Sequence, residues 1–343
     1  MNRKVAAWLI GAGVLVIAVA VYFGLMWTMV PLAMQGGSSA PPAIKAIDIP
    51  EGITFRQVAE LLDKEHLLRN KWAFLLLGRL TWTEGRILAG EYALHAGMSS
   101  VEILSEFRDG HVVLHPVTIP EGYTVAQIAE LLAEKGLADP KEFIRLTHDR
   151  DFIRSLNLEV SNLEGYLFPD TYYVARHTRT KTLITQFVEG LRHALTPEVL
   201  ARAQIINMSI HEVLTLASVI EKETSVPEER GIISAVFHNR LRRGIRLQSD
   251  PTVIYGLASF DGNLRKRDLQ SSSPYNTYRF RGLPPGPIAN PGAGAISAAV
   301  YPAMTSYLYF VSRNDGTHHF SSTLAEHNRA VNKYQRRPAQ RRS

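Results

Sequence analysis

The segment Ser209–Ile220, SIHEVLTLASVI, most constrains how this chain folds. Val213, Leu214, Leu216, Ala217, Val219 and Ile220 recur at helical spacing, and Ser209 can accept a backbone hydrogen bond as N-cap. The pattern predicts a buried helix around which a domain must pack. That helix runs into Glu221. Leu214 and Ala217 lie seven and four positions earlier, so Glu221 continues their stripe instead of facing water. A carboxyl at the end of an apolar stripe loses hydration, which disfavours its charged form and raises its pKa. A proton held at neutral pH is what a general acid needs. Glu223, Glu228 and Glu229 have no such apolar approach and are expected to be solvated. Pro227 then opens a second helix that reaches Arg243 and stops at Gly244. Gln248-Ser249-Asp250-Pro251-Thr252 follows as a polar loop before an apolar Val253-Ile254-Tyr255, a wall suited to a sugar-binding cleft.

At the other end, Val5 to Met34 is almost wholly apolar, carries no charge, and has Trp8 and Trp27 near its ends. About twenty apolar residues suffice to cross a bilayer, whereas a cleaved signal has an apolar core of roughly 7–15. Residues 5–34 are therefore expected to form an uncleaved single-pass anchor. Arg3 and Lys4 keep the 1–4 stub cytoplasmic by the positive-inside rule and place the body outside, in the periplasm. Residues 35–45, opening QGGSSAPP, read as a flexible tether. The absence of cysteine excludes disulfides, thiolate metal sites and a cysteine nucleophile. The net charge of +6 is modest, and part of it sits in a basic tail, residues 335–343, that reads as a solvated end. No basic groove with interleaved aromatics appears, so nucleic acid is not an expected partner.

An internal repeat occupies the next region. Ile47-Asp-Ile-Pro-Glu-Gly-Ile-Thr aligns with Val117-Thr-Ile-Pro-Glu-Gly-Tyr-Thr seventy positions later, and each copy continues to Ala-Glu-Leu-Leu at Leu62 and Leu132. A fainter copy runs from Leu94 to Leu104. Each reads as a strand, a turn, a Thr or Ser N-cap and an amphipathic helix. This resembles half of a LysM module, a type that binds N-acetylglucosamine-containing glycans, and residues 46–140 are assigned to such units. Residues 141–334 are expected to form a mixed α+β catalytic domain. Within it, Glu164, Tyr166, Asp170 and Tyr172 lie in an aromatic run, and Tyr275 and Asn276 lie in a long proline-stiffened loop from Ser271 to Pro291. Tyr307–Val311 reads as a strand and His318–Ser321 as the start of a turn. His318 and His319, adjacent on extended chain, point to opposite faces, so no metal or other cofactor is expected there.

Several ordered motifs carry a resemblance. Val219-Ile-Glu-Lys-Glu-Thr224, Phe237-His-Asn-Arg-Leu241, Arg246-Leu-Gln-Ser-Asp-Pro-Thr-Val-Ile-Tyr-Gly256, Leu163-Glu-Gly-Tyr-Leu-Phe-Pro-Asp-Thr-Tyr172, Tyr275-Asn-Thr-Tyr278 and Gly282-Leu-Pro-Pro-Gly286 resemble the YceG-like family of endolytic murein transglycosylases. The similarity runs from the anchor to about Tyr334, with Ser249 where the family pattern suggests Thr. It implies that Glu221 is the catalytic acid/base and that peptidoglycan glycan strands are the substrate. The implied reaction cleaves the β-1,4 bond between N-acetylmuramic acid and N-acetylglucosamine, with 1,6-anhydro ring formation, and terminates strand elongation. It also implies peptidoglycan synthases (penicillin-binding proteins) as partners and a cell inner membrane location. Glu164, Tyr166, Tyr172, Gln248, Ser249, Asp250, Thr252, Tyr255, Tyr275 and Asn276 are the expected substrate contacts. Two other readings remain open on the residues alone. One is a non-catalytic glycan-binding scaffold, which needs the repeats but not Glu221. The other is a lysozyme-like hydrolase, which needs a second carboxylate, for which Asp250 is the candidate.

Overall fold

The computed structural model describes residues 3–28 and 43–336. Helix α1 covers Arg3–Thr28. The remainder of the expected anchor (29–34), the tether through Pro42 and the tail from residue 337 lie outside the described residues. Among the described residues no single helix is long and apolar enough to cross a membrane, the apolar helical stretch there being Ala12–Gly24.

The chain divides into two compact units, one formed by Met1–Pro116 with Tyr173–Thr178, the other by Val117–Tyr172 with Arg179–Ser343. In the smaller unit the order is β1 (Ile44–Ile49), α2 (Phe55–Lys64), α3 (Lys71–Leu80), β2 (Gly90–His95) and α4 (Ser100–Asp109). β1 and β2 pair antiparallel, with Ile47 opposite Tyr92 and Ile49 opposite Gly90. Ile47 and Ile49 alternate inward as strand geometry requires, and meet Val58, Leu62, Phe74, Leu94, Ile103 and Phe107 in one core. Phe55 stacks on Phe74 at 5.4 Å, and Tyr92 meets Phe107 edge-on at 4.7 Å. Each such fully buried apolar side chain stabilises the unit by about 1.5–3 kcal/mol.

The predicted repeat is present as local structure. β1 and α2, β2 and α4, and then β3 (Leu114–Thr118) and α5 (Val125–Glu134) are strand–turn–helix units. Thr54, Ser99 and Thr124 each close a capping box with Gln57, Glu102 and Gln127. The Pro-Glu-Gly turns need glycine because Gly52 and Gly122 have φ of 81° and 75°. The helix of the second copy belongs to the larger unit.

Strand β4 (Thr171–Ala175) pairs with β3, and its residues from Tyr173 on belong to the smaller unit. The larger unit also holds α6 (Pro140–Thr147), α7 (Arg150–Ser155), α8 (Thr180–Ala194), α9 (Pro197–Ile205), α10 (Ile210–Glu223) and α11 (Pro227–Arg242). After these come α12 (Asp250–Tyr255), α13 (Ala293–Val300), β5 (Tyr309–Ser312), β6 (His318–Ser321) and α14 (Leu324–Val331). Helix α10 is its axis. Ser209 caps it with a capping box, and Val213 to Ile220 are buried without interruption. Eight consecutive buried residues span more than two helical turns, so that run is enclosed on every face. Helix α13 packs along it, and α9, α11 and α12 also touch it.

Two local readings change. Asp250–Tyr255 is a short helix, so the expected polar loop gives way to helix at Asp250, because Pro251 pre-sets a helical first turn. His318–Ser321 is a strand paired antiparallel with β5, not a turn, with Val311 opposite His319.

Candidate active site

Glu221 sits in the last turn of α10 with its side chain 6% exposed. Its Oε2 accepts the Gly292 backbone N–H at 3.0 Å, and its Oε1 accepts Arg230 Nη2 at 3.1 Å. Gly292 is the N-cap of α13, and Arg230 lies in the first turn of α11. The packing of α10 between these helices therefore aims both donors at one carboxyl. Burial pushes the Glu221 pKa up. The Gly292 N–H and the Arg230 charge pull it back, and the nearby Glu121 charge adds to the rise. The two bonds fix the carboxyl's orientation, and burial outweighs their pull toward the charged form, so the net shift is upward.

The structure corrects the reading of two neighbours. Glu223 is not solvated: its carboxyl is enclosed and accepts the Ser249 hydroxyl, and burial raises it to about 7. Glu229 is also buried, and accepts His318 N at 2.8 Å and His318 Nδ1 at 2.6 Å. Both errors have one cause. The stripe argument assigns a single dry face, whereas α10 and α11 are covered on several sides. His318 is thus a hydrogen-bond partner of Glu229 on α11, while His319 lies beside Tyr334 and His327 stacks on Tyr309.

The residues expected to contact substrate divide by exposure. Gln248 and Asp250 are exposed, and Tyr172, Tyr255 and Tyr275 are half-buried. Asp250 Oδ1 accepts the Tyr278 hydroxyl at 2.6 Å. Tyr255 packs against Tyr275 at 4.9 Å, and Tyr172 donates to Phe168 O at 2.7 Å.

Glu164, Tyr166, Ser249, Thr252 and Asn276 are enclosed instead. Glu164 accepts Val125 N at 3.0 Å, Tyr255 OH at 3.2 Å and Asn290 Nδ2 at 3.2 Å, and burial lifts it to about 7. Tyr166 OH and His211 Nδ1 are 2.9 Å apart, and His211 Nε2 donates to Pro285 O at 2.9 Å. That second bond puts the proton on Nε2, so in the neutral ring Nδ1 accepts from the tyrosine. Thr252 Oγ1 donates to Ser249 O at 2.7 Å, and Asn276 Nδ2 donates to Leu269 O and Ser271 O. These five side chains hold the 246–291 segments in place.

The Phe237-His-Asn-Arg-Leu241 motif works the same way. His238 donates to Ala299 O, Asn239 to Thr305 O and Tyr307 O, and Arg240 to Leu247 O and Leu308 O. The sequence reading missed Glu121, Arg230, Asn290 and Gly292 as site residues. Asn290 is a buried hub: Oδ1 accepts Leu167 N, while Nδ2 donates to Tyr123 O and Glu164. Glu121 was visible only as the acidic member of the repeated Ile-Pro-Glu-Gly turn.

The model of the YceG-like family matches residues 47–333. A Bacillus subtilis (strain 168) protein named endolytic murein transglycosylase is 34% identical over 304 residues, covering 84% of each chain. A protein of the same name from Streptococcus pneumoniae serotype 2 is 30% identical over 343 residues, covering 90% of this chain and 61% of the relative. The crystal structure of a YceG-like protein from Listeria monocytogenes superposes with a TM-score of 0.59 at 32% identity, over 83% of this chain and 98% of that one. The family match spans both units and the carboxyl at the end of α10, and on it this chain belongs to the YceG-like family.

Proposed function

We propose that this chain is an endolytic murein transglycosylase with Glu221 as its single acid/base. Glu221 gives its proton to the glycosidic oxygen as the bond from the muramyl C1 to that oxygen breaks. The resulting carboxylate takes the proton of the muramyl C6 hydroxyl, whose oxygen bonds to C1 and closes the 1,6-anhydro ring. No water is consumed, and Glu221 ends protonated as it began. The observation that carries this reading is the Glu221 carboxyl, 6% exposed, raised by burial and bonded on both oxygens, in the last turn of the central helix of a family member. Gln248 and Asp250, which are exposed, and Tyr172, Tyr255 and Tyr275, which are half-buried, are the sugar contacts of this reading, with Glu164, Tyr166, Ser249, Thr252 and Asn276 bracing the wall behind them.

The same reading includes a single-pass anchor at residues 5–34, a periplasmic body, LysM-like glycan contacts by the first repeat, and peptidoglycan synthases as partners. The β1–α2–α3–β2 order with paired outer strands supports the LysM-like part. Deleting residues 1–42 moves the protein from the membrane to the soluble fraction if the anchor is real.

A hydrolase remains the second reading, because Glu121 is a second carboxylate held by the same Arg230. Mass spectrometry of glycan strands digested in ¹⁸O-water decides between them. Anhydromuramyl ends without label support the transglycosylase, and labelled reducing ends overturn it.

A further inference from the structure

One arginine serves two carboxylates at this site. Arg230 Nη2 lies 3.1 Å from Glu121 Oε2 and 3.1 Å from Glu221 Oε1. The three differ in hydration: the side chains of Glu121, Arg230 and Glu221 are 47%, 15% and 6% exposed. Two carboxylates and one guanidinium carry a net charge of −1 if both acids are ionised, and none if one holds a proton. A partly dry cluster favours the neutral state. The proton goes to the acid that gains least from water, which is Glu221.

The surrounding backbone is shaped for the pair. A Cβ on Gly292 would stand 1.9 Å from Glu121 Oε1, and one on Gly294 would stand 2.3 Å from Arg230 Nη1. The N-terminal end of α13 is thus open because two glycines leave room for this contact. Arg230 Nε is buried and finds no acceptor among the described residues, so no other bond to Nε holds the guanidinium away from the two acids. A further charged neighbour is Lys222 on α10, whose Nζ donates to Gly122 O at 3.2 Å. Helix α13 presents only its backbone N–H here, and Asp250 of α12 acts on Glu223.

We infer that Glu121 is a positioning residue for glycan cleavage: by sharing Arg230 it leaves the proton of the cluster on Glu221. The inference rests on the reading of Glu221 as the acid. It also gives the second copy of the repeat a role that its sequence does not announce. The Pro120-Glu121-Gly122 turn supplies a charge to the site.

The test is the pH profile of glycan cleavage by the full chain in detergent, with purified peptidoglycan strands as substrate. A general acid loses activity as pH rises through its pKa, so the alkaline limb reports Glu221. Glu121→Gln leaves Arg230 paired with Glu221 alone, and the limb should move to lower pH by roughly half a unit or more. Glu121→Asp keeps the charge and should restore the limb toward wild type. Arg230→Gln should move it the other way. A Glu121→Gln limb that coincides with wild type, even at reduced rate, overturns the inference, as does a limb moved upward. Failure of the underlying reading looks different: Glu221→Gln would retain activity, or the wild-type product would carry oxygen from labelled water.

Discussion

The Ser249 hydroxyl donates to the enclosed carboxyl of Glu223, two residues beyond Glu221 on α10 and on a different face of it. This bond removes Glu223 from the set of harmless neighbours. The suitable control is Glu228, exposed in the first turn of α11. Glu221→Gln should lower turnover about 10²–10⁴-fold with folding intact, because the amide keeps size and polarity but has no proton to transfer. Glu228→Gln should be nearly silent. Equal turnover of the two variants on purified strands would remove Glu221 from the acid/base role.

Glu223 and Glu164 both have folded-state values of about 7, against an ordinary 4.5. Between these limits the native state holds protons that the unfolded chain has released. Their contribution to stability is therefore fully present below about 4.5 and is lost as pH rises through about 7. Calorimetric melting temperatures should fall between pH 5 and pH 8. In Glu223→Gln, which still accepts from Ser249 but cannot ionise, that fall should be smaller. An unchanged pH dependence would show that Glu223 does not titrate in this window.

Asp250 is the carboxylate that a hydrolase reading first suggests from sequence. Its Oδ1 is taken by the Tyr278 hydroxyl, and its charge bears on Glu223 rather than Glu221. Asp250→Asn should lower activity through the loop, by less than Glu221→Gln, and leave the anhydro product unchanged. A switch from anhydro to reducing ends, read by mass spectrometry, would promote Asp250 to a catalytic role.

Asn290→Ala strips partners from Leu167 N–H and Glu164, and removes one of two donors to Tyr123 O. Each buried polar group left unpaired costs about 1–3 kcal/mol. The urea midpoint should therefore drop clearly, and activity should fall with it as the 285–292 segment loosens. An unaltered midpoint would mean that water replaces the amide at this hub.

Much of the architecture is written locally. The capping boxes at Thr54, Ser99, Thr124 and Ser209, the repeated Pro-Glu-Gly turns and the apolar run of α10 depend on residues within a few positions of one another. Periodicity and cap chemistry therefore place them, and Glu221 follows because it continues a local stripe. The resemblance then supplied the chemistry that the pattern alone left open.

What joins distant segments had no local signal. Glu121 reaches Arg230 across 109 positions, Asn290 reaches Leu167 across 123, and Glu229 reaches His318 across 89. The burial of Glu223 belongs to the same class, since α12 and the 246–250 segment cover a face of α10 that its own sequence leaves polar. Helical periodicity reports one preferred face, but desolvation is a sum over everything packed around a group. The amino-acid sequence by itself determined which carboxyl continues the apolar stripe of the buried helix. Only the tertiary structure decided which charges and donors surround that carboxyl, because those charges and donors come together only when segments far apart in the chain pack against the same helix.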